Sequence, residues 1–184
     1  MSLKIPVKAG AISNLTDARF FAAYGVDMLG FCFDPQSENY ISPHEALAIK
    51  GWISGPQIVA EFKNQDAENV RNIIAFLQPE IIQIGNSLYR EFINTEDLKI
   101  IIDLRDADVN ILLADIITSE LISFLVTESQ YLNNKSNLLK NAIVELTTSS
   151  DLLLYPAIQI NGTHESETGI KSFEWEADIL ERLV

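Results

Sequence analysis

The chain has 184 residues, 47% apolar and 21% charged, without a low-complexity tract, which suits one globular domain over 1–184. Acidic side chains number 26 against 13 basic ones, and the formal net charge of −13 sets up a field that repels nucleic acid and anionic membrane surfaces. The single cysteine, Cys32, excludes an internal disulfide and a multi-cysteine metal site, and two histidines, His44 and His164, exclude a multi-histidine one.

The predicted elements alternate along the chain. Residues 4–8 form an extended run ending at Ala9-Gly10. Asn14 is placed to cap a helix, with Asp17 three residues on and Leu15, Ala18, Phe21 and Ala22 at helical spacing; Gly25 closes it. Residues 26–33 are apolar on successive positions, as in a parallel strand buried on both faces, and Cys32 is expected to be inert core within it. Ser42-Pro43-His44-Glu45 is a helix start, with Ser as cap, Pro at the first helical position and Glu at the third. A strand at 57–62, an amphipathic helix at 66–77 stopped by Pro79, and a strand at 80–84 follow. A short helix at 89–94 and a strand at 98–104 come next. The second half then reads as helix 109–117, strand 121–126, helix 131–140, strand 142–146, a turn at 149–153, strand 157–160 and helix 173–184.

Eight strand–helix units predict a compact (β/α)8 barrel, with shortened helices and loops in the second half. The alternative is an open doubly wound sheet, but no G-x-G-x-x-G follows the first strand, which counts against a dinucleotide-binding version. No apolar run reaches the ~18 residues of a membrane span, and Lys4 and Lys8 interrupt the start, so a cytoplasmic protein is expected, without a signal peptide. The composition implies no cofactor.

Three stretches carry a resemblance. The first is Lys8-Ala9-Gly10-Ala11-Ile12-Ser13-Asn14-Leu15-Thr16-Asp17-Ala18. Gly25-Val26-Asp27-Met28-Leu29-Gly30-Phe31-Cys32-Phe33 and Pro35-Gln36-Ser37-Glu38-Asn39-Tyr40-Ile41-Ser42-Pro43 complete the set. In this order they resemble the start of the phosphoribosylanthranilate isomerase family, a barrel enzyme of tryptophan biosynthesis. Phe62 with Asn64, Ile82-Gln83-Ile84, Asn161 to Glu165 and Gly169-Ile170-Lys171 fit its later motifs, and the match is weak over 88–156.

The resemblance implies a set of functional positions, and this chain departs from most of them. Gly10 stands where the family has its general-base cysteine, and Asn39 where an arginine holds the anthranilate carboxylate. Gly85 replaces a histidine, and Val126 is aligned with the general-acid aspartate, with Glu128 two residues on. Thr147-Thr148-Ser149-Ser150-Asp151 replaces the glycine-rich loop that binds phosphate through backbone N–H groups.

Active sites of such barrels lie at the C-terminal ends of the strands. That places Lys8, Gly10, Asn39, Glu61, Gln83, Gly85, Asp103, Arg105, Thr127, Glu128, Asn161 and Glu165 around a candidate pocket. Strand alternation points Lys8 and Gln83 inward, with Glu61 as a partner for Lys8. Tyr40 is expected to pack its loop and His44 to lie exposed at a helix start. Two readings follow. In the first, the barrel has lost the isomerase chemistry and serves as a small-molecule-binding or regulatory module, with the ligand at its C-terminal mouth. In the second it is an active sugar-phosphate isomerase with relocated groups, Glu128 or Asp103 as acid and Lys8 or Glu61 as base. The sequence says nothing of oligomeric state.

Overall fold

In the computed structural model, which describes residues 2–85, 87–92, 98–106, 122–133, 140–148, 151–162 and 172–184, eight parallel strands close into a barrel in chain order. The strands are β1 Val7–Gly10, β2 Met28–Cys32, β3 Gln57–Phe62, β4 Ile81–Gly85, β5 Lys99–Asp103, β6 Ile122–Thr127, β7 Ala142–Glu145 and β8 Ile158–Asn161. Closure is made by β1 against β8, pairing Lys8 with Gln159 and Gly10 with Asn161. The described helices are α1 Leu15–Tyr24, α2 Pro43–Lys50, α3 Ala67–Leu77, α4 Tyr89–Phe92, α5 Glu128–Asn133 and α6 Glu174–Leu183. A 3-10 turn, Leu152–Leu154, stands where a seventh crossover helix would lie. The barrel therefore replaces the open-sheet alternative.

Local chemistry sets the helix boundaries in the first half. Asn14 Oδ1 accepts from the Asp17 N–H at 2.9 Å, and Gly25 takes the left-handed conformation (φ 77°) that lets its N–H reach the Ala22 carbonyl. Ser42 and Glu45 form a reciprocal capping box. Asp66 caps α3 through the Asn69 N–H at 2.9 Å, and Gln78 ends it in the left-handed region just before Pro79.

In the second half one boundary moves. The helix expected at 131–140 begins at Glu128, directly off β6, and 134–139 lie outside the described residues. The Thr127 hydroxyl accepts the Gln130 N–H at 3.2 Å while Gln130 Oε1 accepts the Thr127 N–H at 2.9 Å. This T-x-x-Q capping box lies just upstream of the apolar periodicity that predicts a start at 131, and it moves the helix start back to the end of β6. The helix expected at 109–117 lies wholly outside the described residues, and the short helix expected at 89–94 and the turn expected at 149–153 lie partly outside them.

Two cores follow from the period-two alternation of the strands. Outward residues such as Leu29, Phe31, Ala60, Ile82, Ile84, Ile102, Phe124, Val126 and Val144 pack against the helices. Phe20 of α1 stacks on Phe173, centroids 4.0 Å apart, which ties the start of α6 to the first crossover. Inward residues form a separate apolar layer, Val59, Ile81, Ile101, Leu125, Ile143 and Ala157, with Met28 against it. One step further along most strands, toward the C-terminal ends, the inward positions turn polar.

Candidate functional site

The polar layer is built from Lys8, Glu61, Gln83, Asp103, Glu145, Gln159 and Asn161, each two residues or so beyond an apolar inward position on its strand or the next. Lys8 is fully buried and forms an ion pair with Glu61, and its Nζ also donates to Gln159 Oε1 at 2.6 Å. The second oxygen of Glu61 accepts the Ala11 N–H at 3.2 Å, and Ala11 holds a positive φ of 55° to present it. An ion pair this deep survives only where the remaining lone pairs are also satisfied. Gly30 makes the room: a Cβ there would overlap Glu61 Oε1.

A second cluster faces the first across the mouth. Arg105 grips Asp103 through Nε at 2.9 Å and Nη2 at 2.6 Å, and donates Nη1 to Glu145 at 2.6 Å. Burial alone would favour neutral Arg105, but the bonds to Asp103 and the charges of Asp103 and Glu145 outweigh it and hold the guanidinium protonated. Asn161 Nδ2 donates to Glu145 at 2.7 Å, and Gln159 Nε2 donates to Asn161 Oδ1 at 2.8 Å, joining the two clusters. Gln83 Nε2 reaches Asp103 at 3.3 Å, while Gln83 Oε1 is buried without a hydrogen-bond partner among the described residues.

Above this layer opens a pocket of about 200 Å³, lined among others by Ala11, Cys32, Asp34, Asn39, Gln83 and Arg105. A larger cavity of about 400 Å³ opens at the other end of the barrel, around Met28, Lys99, Ser123 and Lys140, away from the strand C-termini where barrel sites are built. The mouth pocket gathers Asn39, Glu61, Lys63, Gln83, Asp103, Arg105 and Asn161 of the polar residues expected at the strand ends, and adds Asp34 and Gln159. Glu145 and Gln159 were missed, although both are polar residues at inward alternation positions in otherwise apolar strands. Lys63 pairs with Asp106 at 3.0 Å on the exposed rim and draws that carboxyl below its usual range.

Several expectations change. Cys32 is not core: its position alternates with Met28 and Gly30 on the inner face, and it lines the mouth pocket. Burial raises its thiol pKa despite a hydrogen bond to Ser37, so it stays protonated. Val126 does not face the pocket, because it belongs to the outer core with Phe124; Leu125, Thr127 and Ser123 take the inward side of β6. Thr127 spends its hydroxyl capping α5. Glu128 turns to the loop after β7, accepting from Thr147 Oγ1 at 2.9 Å, Thr148 Oγ1 at 3.2 Å and Tyr155 OH at 3.2 Å. Tyr40 is 43% exposed, its N–H donated to the Ser37 carbonyl at 3.1 Å and its backbone bridged to Cys32. His44 is exposed and meets the Phe76 ring. His164 and Glu165 lie outside the described residues. Gly10 and Gly85 sit at strand ends on the inner face. Among the described residues no cluster of His, Cys, Asp and Glu suited to a metal ion occurs.

A family model described as N-(5'phosphoribosyl)anthranilate (PRA) isomerase matches residues 7–130. The chain belongs to the phosphoribosylanthranilate isomerase family. The N-(5'-phosphoribosyl)anthranilate isomerase of Thermotoga petrophila is 34% identical over 83 residues, 44% of this chain and 40% of that protein. That of Nitrosomonas eutropha is 43% identical over 65 residues, 35% of this chain and 31% of the relative. The aligned stretch thus spans less than half the length of these relatives. Two solved structures share the fold across nearly the whole chain. The Thermotoga maritima isomerase has a TM-score of 0.73 at 20% identity, covering 97% of this chain and 96% of its own. A phosphoribosyl anthranilate isomerase solved with reduced 1-(o-carboxyphenylamino)-1-deoxyribulose 5-phosphate has a TM-score of 0.76, also at 20% identity, with 96% and 97% covered. No described helix is long and apolar enough to cross a membrane.

Proposed function

We propose that this family member does not carry out the family's isomerisation and instead holds a small molecule at the barrel mouth. The observation that carries this reading is the space above Gly10. A Cβ there would lie 2.8 Å from Asn161 Oδ1 and 2.9 Å from Gln159 Cδ, so the side chains of β8 occupy the room a catalytic base would need. The anion-holding features are also spent internally. Lys8 is neutralised by Glu61 and Arg105 by Asp103 and Glu145. The Glu128 carboxylate accepts from the Thr147 N–H at 3.3 Å and from the Thr147 and Thr148 hydroxyls, the described donors at the start of the loop that would hold phosphate.

An acid and a base each contribute typically 10²- to 10⁴-fold to such a proton shift, and neither Glu128 nor buried Lys8 is placed to replace them. The test is to mix the purified protein with phosphoribosylanthranilate and follow the loss of its fluorescence, together with rescue of a tryptophan auxotroph lacking the isomerase. The expected result is no conversion above buffer and no rescue by folded protein. Enzymatic turnover by the purified chain would overturn the reading and favour relocated catalytic groups.

A further inference from the structure

We propose that the mouth pocket is a site for a small organic cation, a primary ammonium or guanidinium compound; this rests on the non-isomerase reading and names its ligand class. Three observations converge. The first is the unpartnered Gln83 Oε1, on a side chain 4% exposed that lines the pocket. Turning the amide over would satisfy nothing, because it would set the carbonyl oxygen against Asp103 Oδ2, which the amide nitrogen now contacts. A buried acceptor left without a donor is costly, so the position suits a ligand N–H.

The second observation is the sign of the charge. Buried Lys8 pairs with Glu61, half-buried Arg105 pairs with Asp103 and Glu145, and Asp34 adds a further carboxylate to the pocket lining. Asp34 is 5% exposed and uses Oδ1 to accept the Gln36 N–H at 3.0 Å; Oδ2 takes no donor among the described residues. Lys63 is the other cation beside Arg105 in the pocket lining, against Asp34, Glu61 and Asp103, and it is paired with Asp106 at the exposed rim. The surplus of carboxylates in a partly enclosed pocket favours a positive ligand, and the net charge of −13 steers one toward it.

The third is size. A volume of about 200 Å³ lies below the roughly 300–1,000 Å³ of typical ligand pockets and suits a compact molecule. Gln83 Oε1 and Asp34 Oδ2 supply the acceptors, and the ligand cation supplies donors without lone pairs to oppose them.

The experiment is calorimetric titration of the full chain with ethanolamine and methylguanidine, set against ribose, inorganic phosphate and ribose 5-phosphate. The Gln83 side-chain amide is followed by nitrogen-15 NMR. The expected result is saturable binding of a cation with a shift of the Gln83 amide signals. Affinity should fall roughly tenfold or more in Gln83→Leu and in Asp34→Asn, the usual effect of losing a hydrogen bond to a charged group. Asp34→Asn lies in the loop after β2 and keeps the test decisive where the Gln83 change unfolds the barrel. Binding of phosphate alone, ribose binding as tightly as the amines, equal cation binding to wild type and Asp34→Asn, or no cation binding would each overturn the proposal. These results are distinct from turnover of phosphoribosylanthranilate, which would overturn the non-isomerase reading instead.

Discussion

The two inward layers of this barrel obey opposite rules. The lower one, Val59, Ile81, Ile101, Leu125, Ile143 and Ala157, is held together by removal of apolar surface from water and asks only for volume. The upper one, from Lys8 round to Gln159, is a hydrogen-bonded network whose charged members are tolerable only because their partners are present. Few residues separate them along any strand. The lower layer could be repacked by other aliphatic side chains, whereas the upper layer cannot lose one group without stranding another.

The sharpest way to break this contrast is Lys8→Met. It leaves Glu61 buried opposite an apolar neighbour and should cost about 3–5 kcal/mol, read as a lowered midpoint in urea unfolding. Adding Glu61→Leu should recover much of that loss. A double variant no more stable than the single one would show that the upper layer is not governed by pairing. Next in size is Leu125→Ala in the lower layer, expected to cost about 2–5 kcal/mol through lost burial and a cavity, with no second substitution in the upper layer able to relieve it. The same unfolding curves measure it.

The smallest effect lies outside both layers and serves as their surface reference. Ser42→Ala removes the cap of α2 and should cost about 1 kcal/mol at neutral pH. Glu45 has its pKa depressed by its bonds to the Ser42 side chain and backbone. A depressed carboxyl stabilises the fold above its unfolded value and loses that contribution as the pH falls through the folded one. The gap between wild type and Ser42→Ala should therefore narrow in acid, which urea midpoints at neutral and acid pH would show; a gap that widens would contradict the capping box.

Legibility differed in the same way between fold and site. The strands and the caps at Asn14 and Ser42 could be read because each is a local signal of a few residues. The T-x-x-Q box at Thr127 was equally local and was passed over for a weaker apolar pattern. Site orientation was harder. A one-residue shift of register moves a side chain to the other face of a strand, which is why Val126 was set at the mouth and Cys32 in the core, when the reverse holds.

The sequence by itself determined the family, the alternation of strands and helices, and the replacement of the family's cysteine and arginine by Gly10 and Asn39. Only the tertiary structure decided what fills the space they left. Glu61 could be named as a partner for Lys8 from strand alternation, but Glu145 and Gln159 lie on the last two strands, and nothing local in either says that it joins the same network. Closing β8 against β1 made that choice: it carried Gln159 and Asn161 over Gly10 and turned a position for a base into part of a buried polar network.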